Sequence, residues 1–202
     1  MSQNLNKVKR TINRDCYTIK ESYTTLQSQP ETRHGDYFSS LSAYEEEGQY
    51  TKGQRSGVWI NTSRGRIVQK YDFDNHKELE GDKSQLLDRI TIIDPSNGTS
   101  KNLPIQNIYL GGDTKMKQVL VSCVRYPAEA QQKNITGKVR IRFLISADGK
   151  VTNEVALTNL GGGLEAEALR VFRLMPQDWL PVYVDGKAVD TEVEILFGFK
   201  LS

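Results

Sequence analysis

Near the C-terminus, Val189, Val193, Ile195, Phe197, Phe199 and Leu201 occupy odd positions, while Asp190, Glu192, Glu194 and Lys200 occupy even ones. A period of two over this length is the signature of a half-buried strand, so the chain must supply a sheet with one covered face. The preceding residues supply the rest of that layer. Val139, Ile141, Phe143 and Ile145 alternate with Lys138, Arg140, Arg142 and Leu144, Asp148-Gly149 marks a tight turn, and Val151 to Leu157 returns as a second strand. After Gly161-Gly162-Gly163, the apolar residues Leu164, Ala168, Val171, Phe172 and Met175 recur at helical spacing until Pro176. Upstream, Asp113 caps a helix to about Val124 with Met116, Val119, Leu120 and Cys123 on one face. A helix then restarts at Tyr126-Pro127-Ala128-Glu129-Ala130, with Pro127 in its first turn and Asn134 as its stop.

Helix, strand, strand, helix, strand predicts an α+β unit with two helices on one face of a three-stranded antiparallel sheet. The crossover rules place its first strand between the other two. The last strand is then a long open edge, which is a hazard unless something pairs with it. Strand addition by a partner along Thr191, Glu192, Val193, Glu194, Ile195, Leu196, Phe197, Gly198 and Phe199 is the functional form of that pairing. Glu192 and Glu194 read as edge-protecting charges on the solvent face.

The N-terminal half has a different texture. Residues 1–15 are polar, with Lys7, Lys9, Arg10 and Arg14, and read as a solvated arm. The start Ser2-Gln3-Asn4-Leu5-Asn6 reads like a mature N-terminus after signal removal. From Cys16 to Phe73 short Tyr- and Thr-rich runs alternate with Gly-bearing turns. His34-Gly35-Asp36-Tyr37 returns as Ser56-Gly57-Val58-Trp59, with Tyr50 and Phe73 as second aromatics and Gly48-Gln49-Tyr50-Thr51-Lys52-Gly53-Gln54-Arg55 between. Over residues 34–73 this resembles MORN-type repeats, which implies stacked β-hairpins, although the second copy lacks the Gly expected before Tyr71-Asp72-Phe73. A plain β-meander is the alternative. Residues 16–96 are assigned to this all-β module, in which Asp74-Asn75-His76-Lys77 is a turn. Arg89-Ile90-Thr91-Ile92-Ile93-Asp94 is a strand stopped by Pro95 and Ser96-Asn97-Gly98. Residues 97–108 are a linker, and 109–202 form the C-terminal domain.

Composition removes most chemistry. The 27 Lys+Arg against 25 Asp+Glu are spread evenly, so there is no basic footprint for nucleic acid. No run approaches the ~20 apolar residues of a membrane span. The 2 histidines and 2 cysteines, Cys16 and Cys123, form no metal-type cluster; the cysteines read as two separate thiols, with a disulfide in an oxidising compartment as the alternative that sequence alone does not place. Leu164-Glu165-Ala166-Glu167 follows the triple glycine where a phosphate loop would need a cation, and two carboxylates there repel phosphate. No nucleophile, base and oxyanion site assemble. The expectation is a non-enzymatic chain with no cofactor and no metal.

Tyr109-Leu110-Gly111-Gly112, Tyr126-Pro127-Ala128-Glu129-Ala130, Gly137-Lys138-Val139-Arg140-Ile141-Arg142-Phe143, Asp148-Gly149-Lys150-Val151-Thr152, the Glu165–Met175 helix and the Val193–Leu201 strand run in order. Together they resemble the C-terminal domain of TonB, in the form common in Bacteroidetes-type bacteria. The resemblance implies a periplasmic cell-envelope domain that takes part in energy transduction for transport. Its implied partner is an outer-membrane TonB-dependent receptor, whose TonB-box peptide adds beside the last strand; a homodimer is the other expected use of that edge. Val124-Arg125 stands where some members carry Gln-Pro for receptor contact. The alternative is a structural scaffold of the envelope, in which the repeats bind a partner and the C-terminal domain oligomerises.

Overall fold

Seven strands follow one another from residue 5 to residue 81 and pair in chain order into one antiparallel sheet. They are β1 (Leu5–Asn13), β2 (Thr18–Leu26), β3 (Gln29–Leu41), β4 (Tyr44–Thr51), β5 (Gln54–Ser63), β6 (Arg66–Asp72) and β7 (Lys77–Gly81). A computed structural model of the chain describes residues 5–81, 86–93 and 100–201. These divide into two compact units, Met1–Asp82 with Leu110–Ser122, and Lys83–Tyr109 with Cys123–Ser202.

The first unit is held from one face of its sheet. Tyr37, Tyr50, Tyr71 and Trp59 are buried there, Trp59 completely. Their rings form a continuous ladder: Trp59 lies 5.2 Å from Tyr37, 5.3 Å from Tyr50 and 5.6 Å from Phe73, mostly edge-on. The aromatics of the two recurring motifs, Tyr37 with Tyr50 and Trp59 with Phe73, therefore meet on neighbouring hairpins. The glycines two residues before Tyr37 and Trp59, Gly35 and Gly57, have φ of +86° and +63°, where a side chain is strained. Gly48 serves space instead, since a Cβ there would come within 2.4–2.6 Å of the Trp59 indole.

Two buried carboxylates sit among these rings, and each is paired. Glu21 accepts from Arg33 at 3.0 Å to both oxygens, from Tyr37 Oη at 3.0 Å, and from Arg10. Arg33 also stacks over Tyr23 at 4.8 Å and over Tyr37 and Tyr50 at 5.2 Å. Burial, then the Glu46 and Glu21 carboxylates, push the Tyr37 phenol well above its ordinary pKa, which keeps it a donor. The second carboxylate, Glu46, is met at 2.8 Å by Lys115 Nζ. Lys115 lies on α1 (Gly112–Cys123), and Gly111 N–H donates to Gln69 Oε1 at 2.6 Å. Through these contacts α1 as far as Ser122 belongs to the seven-stranded unit rather than to the C-terminal one, although its span matches the expected helix.

Residues 5–13 were expected within a solvated arm over 1–15; they form β1, paired along its whole length with β2. Most of its side chains are exposed, so backbone hydrogen bonds hold it and no apolar period marks it. The expected mature N-terminus at Ser2–Asn4 lies outside the described residues.

The second unit holds β8 (Leu87–Ile93), β9 (Ser100–Leu103), α2 (Ala128–Gln132), β10 (Gly137–Ile145) and β11 (Val151–Ala156). It continues with α3 (Leu164–Leu174), β12 (Val182–Val184), β13 (Lys187–Val189) and β14 (Thr191–Phe199). Its sheet order is β11-β10-β14-β8-β9, with β12 and β13 as a separate hairpin. The first strand of the C-terminal pattern, β10, does lie between β11 and β14. Val139, Ile141, Phe143 and Ile145 are fully buried, each such side chain contributing about 1.5–3 kcal/mol of transfer free energy. Leu164, Ala168, Val171 and Phe172 of α3 complete that core, Phe143 and Phe172 lying 4.7 Å apart. Trp179 joins them, 4.6 Å from Phe143 and 4.8 Å from Tyr109.

The sheet has five strands where three were expected, because β8 and β9 join it. The expected boundary at 96/97 and the stop Pro95 to Gly98 lie outside the described residues, but the strands on either side of them pair with each other. Residues 97–108, expected as a linker, include β9 and the buried Ile108. The Ser, Lys and Asn side chains of β9 are exposed, which is why no strand period marks it.

Neither cysteine is free: Cys16 and Cys123 are both disulfide-bonded, against the expectation of two separate thiols. Separation in sequence carries no pairing signal. Iodoacetamide is expected to label neither cysteine until a reductant is added, as peptide mass mapping will read. Gly48→Ala is expected to destabilise the first unit by about 1–3 kcal/mol through overpacking against Trp59, measured by urea denaturation followed by tryptophan fluorescence.

Candidate protein-interaction surface

The strand singled out by its alternation is built as predicted on its inner face. Val193, Ile195, Phe197 and Phe199 are 0–4% exposed, and Thr191 is fully buried with its hydroxyl donating to the Val189 carbonyl. The Phe199 ring meets Tyr126 edge-on at 5.8 Å. On the other face Glu192 and Leu196 are half-buried and Gly198 is exposed. β14 pairs with β10 in an unbroken antiparallel register from Gly137↔Phe199 to Ile145↔Thr191.

Its second edge is where expectation and structure part. β14 is not a terminal strand: β8 lies against it antiparallel, from Thr191↔Ile92 to Ile195↔Leu87, and Leu196 N–H donates to the Leu86 carbonyl at 2.8 Å. The open edge expected along Thr191–Phe199 is thus occupied from Thr191 to Leu196. Edge or centre is a property of non-local pairing, which the alternation of one strand does not encode.

Glu194 differs from its expected role for the same reason. Placed on the solvent face as an edge-protecting charge, it is instead 4% exposed. Arg140 of β10 reaches it at 3.2 Å and Arg89 of β8 at 3.7 Å, while Arg140 also meets Asp88 of β8 at 3.0 Å. Glu192 pairs with Arg142 at 3.7 Å. The outer face of β10, β14 and β8 is therefore a belt of alternating charges across three strands. Asp88, Arg89 and Arg140 were missed as site residues. The signal available was the acid-base pair at the head of an apolar run, which belongs opposite the charges of β10 and β14.

These features define a small mixed α/β unit: a helix-backed sheet with charges across its outer face and a strand edge paired with β8. Residues 123–201 match the family described as Gram-negative bacterial TonB protein C-terminal. Domains of that family are non-enzymatic protein-interaction domains that meet outer-membrane receptors. The match spans α2, β10, β11, α3, β12, β13 and β14, and leaves β8 and β9 outside it. No curated protein matches the chain, and no solved structure does. Among the described residues no three His, Cys, Asp or Glu side chains converge as a metal site, and no helix is long and apolar enough to cross a membrane.

The Arg140–Glu194 pair generates a test of this surface. Arg140→Met leaves a nearly buried carboxylate with the half-exposed Arg89 as its remaining cation. The expected cost is about 1–2 kcal/mol, largely recovered by adding Glu194→Gln, in a double-mutant cycle read by denaturant unfolding.

Proposed function

We propose that the second unit is a protein-recruiting domain of the Gram-negative envelope that takes an extended segment of an outer-membrane TonB-dependent receptor as an added strand. The observation that carries this reading is the coincidence of the family match with the position of β14 in it. Within residues 123–201 the sheet runs β11-β10-β14, so β14 is the last strand of the part of the sheet that lies inside the match. The residues proposed to receive the partner's main chain are Thr191–Phe199. Main-chain hydrogen bonds supply the bulk of the affinity, and the charges on the outer face of the strand, Glu192 among them, select among segments.

A further observation supports the location. Disulfide-bonded cysteines fit an oxidising compartment such as the periplasm. In an energy transducer, force from the inner membrane would reach the receptor through this strand. The seven-stranded sheet is proposed to be a MORN-like hairpin array; the meeting of Tyr37, Tyr50, Trp59 and Phe73 in one ladder supports it.

The test is an amide-shift titration of the intact chain with TonB-box peptides from receptors of the same organism. Shifts are expected at residues 191–199. Shifts confined to residues 5–81, with 191–199 unmoved, would assign recognition to the seven-stranded sheet and overturn this reading.

A further inference from the structure

β8 is a strand from outside the family-matched segment, seated on the edge that the proposed function gives to a partner. Its hold is weaker in kind than that of β10. The β10–β14 register runs nine residues without a break, whereas β8 covers five pairs with a shift between Glu194 and Ile195. On its far side, among the described residues, β8 pairs with the four-residue β9, so the two strands can leave together.

The charges are arranged so that departure strands nothing. Arg140 and Glu194 bond each other as well as Asp88 and Arg89, so both remain matched when β8 is gone. Arg142 and Glu192 pair without β8 at all. What departure does leave open is the backbone, such as the N–H of Leu196, and the apolar space filled by the 5%-exposed Leu87 and the fully buried Ile90. Both demand another strand rather than water.

We infer that β8 is a releasable, built-in occupant of the partner edge, and that its side chains specify the segment the edge accepts. This rests on reading β14 as the partner strand. The matching partner is an extended peptide with apolar residues at the places of Leu87 and Ile90, an acid at that of Asp88 facing Arg140, and a base at that of Arg89 facing Glu194. β8 and the partner compete for one site, so the resting chain binds more weakly than the edge itself does.

The experiment uses the full chain and a synthetic peptide of residues 86–93. Asp88→Arg with Arg89→Glu sets like charges against Arg140 and Glu194 and loosens β8 from its own chain. The peptide is expected to bind this variant at least tenfold more tightly than the unaltered chain, with shifts at 191–196 and slowed exchange of the Leu196 amide. A peptide with its two charges exchanged is expected to bind the variant less well than the native peptide does. Equal affinity for variant and unaltered chain, or shifts at β9 or β11 with 191–196 unmoved, would overturn the inference. If the double variant does not fold, Arg89→Glu alone, at a half-exposed side chain, carries the same comparison with a smaller ratio. TonB-box peptides run in parallel separate the two ideas. Equal binding to both chains at 191–199 defeats the releasable strand and leaves the receptor reading standing. Binding of the 86–93 peptide to the loosened chain, with no TonB-box peptide binding either chain, defeats the receptor reading and leaves the releasable strand.

Discussion

The nine-residue pairing of β10 with β14 is the constraint on which the second unit depends. It aligns Val139, Ile141 and Phe143 with Phe197, Ile195 and Val193 on one face, and that face is what α3 and Trp179 close over. A one-residue slip would turn every one of these side chains outward, so the buried face fixes the register. The same register sets Arg140 across from Leu196 and Arg142 across from Glu194, which leaves each guanidinium diagonal to a carboxylate on β14. The charge belt on the outer face is thus a consequence of the apolar alternation on the inner one.

Both units contain carboxylates far from water, and both handle them alike. Glu21, Glu46 and Glu194 are each 2–5% exposed, and each meets cations, two of them arginine-rich clusters. A buried ion is tolerated only when its partners satisfy it, and losing one partner costs far more than the pair contributes. In the first unit Arg33 is further fixed by three tyrosine rings, so the aromatic ladder and the ion cluster are a single packed object. In the second unit the cluster is shared across three strands, one of which is lightly held. The chemistry is the same; the difference lies in whether every member is anchored.

Much of the second unit was legible in the sequence because its signals are local. Period two in Val139–Ile145 and Val193–Phe199, helical spacing from Leu164, and the Asp148-Gly149 turn each state their element directly, and all are observed. The aromatic recurrence at Tyr37 and Trp59 likewise pointed to residues that meet. What was not legible is what depends on distant partners. β1 and β9 are paired on one side only and bury little, so no period marks them. Glu194 looks like any surface carboxylate until Arg89 and Arg140 are brought to it. The strand at Arg89–Ile93 was seen, but its sheet was not. Nothing in an apolar run names the strand beside which it lies.

That last gap bears on what β8 is for. An edge strand as long and as apolar as β14 invites pairing with any extended chain, and proteins commonly blunt such edges by covering them. A cover that only protected would do best as a long strand with unbroken register and apolar contacts throughout. β8 instead meets β14 over five pairs, breaks register at Ile195, and spends its outer positions on Asp88 and Arg89, which answer charges already satisfied by each other. Such contacts add selectivity more than stability, since a half-exposed ion pair contributes little while a mismatched charge is penalised. Protection and recognition therefore make opposite demands on this strand, and the residues of β8 satisfy those of recognition.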